Sequence, residues 1–123
     1  MKLLIADDSE VFVHRLESTL AEVTGIEIVG YANNVPDALQ EIRKEQPDVV
    51  ILGLGLQGGS SIDVLEALKE DQFKTIVIVL SNCSFPQYRK KCLRSGARFF
   101  FDKSTEFEKV AEVLRTLLRR GAV

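Results

Sequence analysis

Short runs of consecutive apolar residues alternate along this chain with longer segments in which apolar residues recur every three or four positions. Runs rich in β-branched and aromatic residues favour strands, and runs that are apolar nearly throughout are typical of strands buried on both faces. The pattern predicts five strands, at Leu3–Ala6, Ile26–Ala32, Val49–Leu52, Ile76–Leu80 and Phe99–Phe101.

The segments between these runs have the period of amphipathic helices. Five helices are predicted: from near Ser9, after Pro36, around Ile62–Leu68, from Pro86 to Ser95, and from Thr105 onward. Thr105 and Glu108 have the spacing of a capping box, so we expect the last helix to open at Thr105. Strict alternation of strands and helices predicts right-handed crossovers, and therefore a doubly wound α/β domain over 1–123 with a five-stranded parallel sheet between two helical layers.

Composition places the chain among folded proteins and excludes several classes of function. Its 123 residues are 46% hydrophobic and 28% charged, which excludes the signature of disorder. A net charge of −2 argues against a protein whose whole surface holds nucleic acid. Two cysteines and one histidine do not supply a four-ligand zinc set. With no apolar run long enough to cross a bilayer and no signal peptide, we expect no membrane association and a cytoplasmic location.

Polar residues that could bind a ligand or take part in a reaction follow several predicted strands, at the point where each strand ends. In an open parallel sheet the functional cleft lies beyond these carboxyl ends. Asp7 and Asp8 follow the first strand, Ser81 the fourth and Lys103 the fifth. Adjacent carboxylates resist joint ionisation unless a cation neutralises them. Either Lys103 or Mg²⁺, which prefers hard oxygen ligands, satisfies that need.

This set of residues resembles the receiver domain of bacterial two-component response regulators, of the chemotaxis-regulator-like type, over essentially the whole chain. The matching positions are the acidic pair Asp7 and Asp8, the hydroxyl of Ser81, the aromatic switch residue Phe100 and the lysine Lys103. The resemblance implies a flavodoxin-like fold, a role in phosphorelay signal transduction, Mg²⁺ as cofactor and a histidine kinase as partner.

The chain departs from this family at the end of the third strand. Receivers carry there the aspartate that accepts a phosphoryl group, and this sequence has Gly53, which offers no nucleophile. Gln57 and Ser61 also differ from the usual residues. We therefore expect no catalytic residue, weak or absent Mg²⁺ binding by Asp7 and Asp8, and no other cofactor. Lys103, deprived of its usual partner, should pair with one of the two aspartates, preferentially Asp8.

A basic run on the fourth predicted helix is the second feature that suggests a function. It contains no acidic residue and consists of Arg89, Lys90, Lys91, Arg94 and Arg98. A solvated face is one interpretation. The resemblance implies another, in which the fourth helix, fifth strand and fifth helix dock an acidic protein or a charge-complementary copy of the chain. Direct nucleic-acid binding is not expected, because no recognition helix is evident.

Three functions remain open on the sequence. The first is a phosphorylation-incompetent pseudo-receiver that works by protein contact, alone or within a longer regulator. The second is a conventional phosphorelay receiver whose aspartate has been replaced artificially by Gly53. The third is a small nucleotide-binding domain that uses the glycine motif of Gly53–Gly58. Against the third, the motif follows the third strand instead of the first, and no acidic residue ends the next strand.

Overall fold

The computed structural model describes residues 1–53, 59–82 and 86–121 and has the predicted alternation of strands and helices. Its elements are β1 (Lys2–Ala6), α1 (Glu10–Leu20), β2 (Glu27–Ala32), α2 (Val35–Glu45), β3 (Val49–Gly53), α3 (Ser61–Glu70), β4 (Ile76–Ser81), α4 (Pro86–Arg94), β5 (Phe99–Asp102) and α5 (Lys109–Arg120). The five parallel strands lie in the order β2-β1-β3-β4-β5. This order, with its alternating helices, confirms the flavodoxin-like fold class.

Two apolar layers sandwich the sheet because successive side chains of a strand point to opposite faces. Leu4 and Ala6 pack with residues of α2, α3 and α4 on one face. Leu3 and Ile5 pack with residues of α1 and α5 on the other face. Every residue of β3 and β4 is buried, as the nearly continuous apolar runs predicted.

Local signals at the helix starts explain where α1 and α2 begin. Ser9 is the N-cap of α1, and its hydroxyl accepts a hydrogen bond from the N–H of Phe12. Asn34 caps α2 in the same way through the N–H of Asp37, and Pro36 occupies the first turn, where a missing N–H costs nothing. The sequence located both starts to within about two residues.

The prediction that the last helix opens at Thr105 was wrong. α5 begins at Lys109, and no side chain caps it. The capping spacing fails because Asp102, at the end of β5, accepts the N–H groups of Thr105 and Ser104 at 3.0 and 2.8 Å and folds 102–105 into a turn. Glu106 Oε1 in return accepts the N–H of Asp102. The Asp102 carboxylate therefore takes the N–H of Thr105, which in a capping box would donate to the side chain of Glu108.

Asp102→Ala should destabilise this turn more than Thr105→Ala does. The hydrogen bonds from Thr105 and Ser104 lower the pKa of Asp102, so the stability they provide is present above the ordinary aspartate range and is lost as pH falls through the lowered pKa. Amide hydrogen exchange at Ser104 and Thr105 and urea unfolding at neutral and acidic pH measure both effects. A larger loss from Thr105→Ala would restore the capping-box interpretation.

Candidate functional site at the carboxyl edge of the sheet

The ends of four strands bring the sequence-predicted site residues to one edge of the sheet. Asp7 directly follows β1, Gly53 and Ser81 are the last residues of β3 and β4, and Lys103 directly follows β5. The register pairs Gly53 with Leu80 and Ser81 with Asp102, so the strands end at nearly the same level. The backbone N–H of Lys103 donates to the Ser81 carbonyl at 2.8 Å, which extends the β4–β5 ladder by one residue.

An ion pair between Lys103 and Asp7 forms the centre of this edge. Lys103 Nζ lies 2.8 Å from Asp7 Oδ2, and the two side chains are 15% and 2% exposed. The other oxygen, Oδ1, accepts the N–H of Ser9 at 2.8 Å. The carboxylate is therefore held from both sides, by an ammonium and by the N-cap residue of α1.

The expected lysine–aspartate pair exists, but the preference for Asp8 was wrong. Asp7 N–H donates to the Ala32 carbonyl at 3.0 Å, which continues the β1–β2 ladder and keeps this residue buried. Asp8 is exposed. Because alternation along a strand continues through Asp7, the first aspartate faces into the sheet edge and the second faces solvent.

An aromatic pair supports the lysine, a role that could not be recognised from the sequence. Lys103 Nζ lies 4.0 Å from the ring centroid of Phe12, on α1. That ring meets Phe107 edge to face at 5.7 Å, and Arg15 lies 4.1 Å from the centre of the Phe107 ring. A cation over a ring face is attracted by the ring quadrupole. Apolar periodicity indicates that rings such as Phe12 and Phe107 are buried, but it cannot show which cation a ring meets.

Ser81 and Phe100 are both buried, and Phe100 lies apart from Phe12, the ring that contacts Lys103. Ser81 is 1% exposed at the end of β4. Phe100 packs on the opposite face of the sheet from Phe12, in the apolar layer of α3 and α4, with Tyr88 6.3 Å away. The Tyr88 hydroxyl lies 2.8 Å from that of Ser61, so a polar contact that the sequence did not reveal joins α3 and α4.

The described residues around this edge limit what could hold a ligand. Within 1–53, 59–82 and 86–121, no group of three or more histidine, cysteine, aspartate or glutamate side chains is arranged to hold a metal ion. Most of the Gly53–Gly58 motif lies outside these residues, so the nucleotide-binding interpretation has no described geometry. None of the helices within the same ranges has the length and apolar character needed to cross a membrane.

The predicted basic run forms an exposed surface next to the edge strand β5. We call it the basic α4 surface: Arg89, Lys90, Lys91, Arg94 and Arg98. Within the described part of the chain, none of the five forms a salt bridge. Arg89 lies 5.9 Å from the ring centroid of Phe100, and Leu93 is an exposed apolar residue among the cations. These charges are therefore available to an external partner.

Lys103→Met should lower the free energy of unfolding by about 3 kcal/mol, because it leaves a buried carboxylate without its counter-charge. A matched control is Lys109→Met, since Lys109 also pairs with a carboxylate, Glu106, at 2.8 Å but is 55% exposed. That exposed pair should contribute only about 0.5 kcal/mol. Urea unfolding measures both variants, and equal losses would show that the Asp7–Lys103 pair contributes no more than a surface pair.

Comparison with known proteins gives a consistent family assignment. Residues 3–115 match the family model described as the response regulator receiver domain. The transcriptional regulatory protein DesR of Bacillus subtilis is 26% identical over 118 residues, which are 96% of this chain and 58% of DesR. The DNA-binding transcriptional activator EvgA of Escherichia coli K12 is 30% identical over 103 residues, 84% of this chain and 50% of EvgA. The chain thus spans about half to three-fifths of the length of these relatives.

Solved structures agree with that assignment. The signal receiver domain of a NarL response regulator from Mycobacterium tuberculosis superposes with a TM-score of 0.85 at 28% identity, covering 94% of each chain. The isolated receiver domain of RcsB from Salmonella enterica serovar Typhimurium, at 19% identity, shares the fold with a TM-score of 0.87 over 98% of this chain and 89% of that one. The chain belongs to the family of response regulator receiver domains, which are signalling modules of two-component systems and not enzymes.

Proposed function

We propose that this receiver domain signals through protein contacts that do not depend on its phosphorylation. The observation that carries the proposal is Gly53 at the carboxyl end of β3, the position of the phosphoacceptor aspartate in the receivers that the sequence resembles. A covalent phosphoryl group needs an attacking oxygen, and glycine has none. The nearest buried carboxylate, Asp7, is bound to Lys103. The pseudo-receiver function is preferred to a conventional phosphorelay receiver on these grounds.

The metal chemistry of the edge supports the same proposal. The resemblance implies three carboxylates around Mg²⁺, and this chain supplies only the acidic pair. The Asp7 carboxylate is already neutralised by the Lys103 ammonium, which would repel a divalent cation, so of the pair only the exposed Asp8 is free of a paired cation. Mg²⁺ demands near-octahedral oxygen coordination. One free carboxylate fits that demand poorly, and we infer that signalling does not depend on Mg²⁺.

The output surface in this proposal is the one formed by α4, β5 and α5. The resemblance implies that receivers form dimers and dock their targets at this face. Here the basic α4 surface supplies five cations, and α5 adds Arg119 and Arg120 in its last turn. Electrostatic complementarity favours an acidic protein surface or an acidic region of a second copy. Because the net charge is −2 and Leu93 is exposed among the cations, a protein suits this face better than nucleic acid.

The relatives suggest the setting in which such contacts act. DesR and EvgA are named as transcriptional regulators, and the chain matches about half of each. We infer that this domain acts in the cytoplasm on the transcriptional branch of two-component signalling. The chemotaxis-regulator-like character suggested by the sequence, and a histidine kinase as partner, stay predictions.

The protein should gain no phosphoryl group when it is incubated with acetyl phosphate and Mg²⁺, because residue 53 has no side-chain oxygen. Intact-mass spectrometry measures the gain, and a receiver with an aspartate at this position, treated in parallel, shows that the donor is active. A stable gain of one phosphoryl group by this chain would overturn the proposal.

Charge reversal on the basic α4 surface should remove partner binding. We expect the Lys90→Glu/Lys91→Glu variant to lose proteins that the unaltered chain retains, or to lose its self-association, and to do so more at low salt than at high salt. Lys44→Glu/Lys69→Glu is a matched control, since it changes the same charge on exposed lysines of α2 and α3. Affinity capture and sedimentation equilibrium measure the two outcomes. Identical behaviour of both variants would exclude the basic α4 surface as the docking site.

A further inference from the structure

The space beside the α-carbon of Gly53 is already filled by another side chain. A β-carbon built on Gly53 would overlap Oδ2 of Asp7, and would lie 2.7 Å from Cγ and 3.3 Å from Cβ of the same residue. Real β-carbons do not approach carboxylate atoms so closely. The carboxylate of Asp7 therefore lies where the side chain of residue 53 would begin.

The backbone itself does not call for glycine at this position. Among the glycines that the structure describes, those with positive φ are Gly25, Gly59, Gly96 and Gly121, and Gly53 is not one of them. Gly53 is a regular residue of β3, paired in register with Leu80. Any residue can adopt that conformation, and alanine would ordinarily stabilise a strand relative to glycine. The geometry thus gives one reason for glycine at this position, which is that the side chain of Asp7 leaves no room for a β-carbon.

Asp7 is held firmly in this position. Its Oδ2 accepts Lys103 Nζ, its Oδ1 accepts the N–H of Ser9, and its own N–H donates to Ala32. Only 2% of its side chain is exposed. Rotation of the carboxylate away from Gly53 would break the ion pair and leave a buried charge without a partner.

We propose that Asp7 has taken over from residue 53 as the carboxylate partner of Lys103, so that a closed ion pair replaces the reactive centre and glycine is required at 53. This inference deepens the proposed function and rests on it. In the receivers that the sequence resembles, the lysine pairs with the aspartate at the end of β3. Here the neighbouring strand β1 supplies the carboxylate instead, and Asp7 acts as a positioning residue for Lys103.

Exclusion of Mg²⁺ follows from the same geometry. A metal ion bound by the Asp7 carboxylate would lie close to the Lys103 ammonium, which is 2.8 Å from Oδ2, and the two positive charges would repel each other. The ion pair and a metal ion therefore compete for one carboxylate, and the pair is the state that the chain's own contacts stabilise.

A double-mutant cycle between residues 7 and 53 tests the inference. Gly53→Ala adds one β-carbon, and we expect it to lower the equilibrium constant of folding by about tenfold or more through overpacking. In the Asp7→Ala background the same change should alter that constant by no more than about twofold, because the obstructing carboxylate is gone. Urea unfolding of the four proteins gives the coupling, and an additive cycle would overturn the inference.

Gly30→Ala is the matched control, because Gly30 is also a strand glycine with a carboxylate oxygen nearby. A β-carbon there would lie 3.0 Å from Oε2 of Glu41, the far end of a long side chain that can move aside. We expect Gly30→Ala to change stability far less than Gly53→Ala. An equal loss at both positions would mean that the effect at Gly53 is an ordinary consequence of adding a methyl group to the sheet.

A magnesium titration, followed by the thermal midpoint of unfolding, measures an effect that a change in packing alone would not produce. Millimolar MgCl₂ should leave the thermal midpoint of the unaltered chain unchanged and should raise that of Lys103→Met, in which Asp7 is released from its ion pair. Stabilisation of the unaltered chain by Mg²⁺, or of neither protein, would contradict competition for one carboxylate. Phosphorylation of the unaltered chain on another residue would overturn the proposed function while the coupling between residues 7 and 53 could still be measured.

Discussion

Two layers of helices cover the central strands β1, β3 and β4 from both sides, and this double burial decides where polar side chains can lie. The strand interiors admit only apolar residues, so charged groups meet where the strands end. The charges of Asp7 and Lys103 at that edge are still largely removed from water, and each needs a counter-charge close by. Asp7 and Lys103 meet this requirement for each other.

The ion pair joins four parts of the molecule. Asp7 extends β1, and Lys103 follows β5. The ring of Phe12, on α1, contacts the ammonium of Lys103, and Phe107, in the segment before α5, packs against that ring. The side-chain contacts of the lysine with Asp7 and Phe12 thus tie the end of β5 to β1 and α1.

The strands and most helix starts could be predicted because each depends on local pattern. Alternating apolar runs located β1 to β5, and Ser9 marked the start of α1. The start of α5 was predicted wrongly at Thr105, because the local capping signal competes with Asp102. The sheet holds Asp102 in place, and its carboxylate accepts the N–H of Thr105, so that the helix begins farther along the chain. A distance of three residues cannot reveal that a strand end supplies the stronger acceptor.

The candidate site was predictable as a set of residues and not as a set of contacts. Asp7, Ser81 and Lys103 were recognisable because they follow strands that end together. The choice of Asp7 over Asp8 depends on which of the two continues the alternation of β1, and the ring of Phe12 beneath the lysine depends on how α1 lies across the sheet. Both are outcomes of packing between segments far apart in sequence.

The thin anchoring of α4 has a consequence for any protein that binds there. Of the residues Pro86–Arg94, Cys92 alone is buried, and Tyr88 adds a hydroxyl contact to Ser61 on α3. Because α3 and α5 bury five and four residues and α4 only one, we expect α4 to open at lower free energy and its amide hydrogens to exchange with solvent earlier than those of the central strands. A partner that binds α4 would suppress this opening, and the entropy lost in ordering the helix would reduce the net free energy of binding.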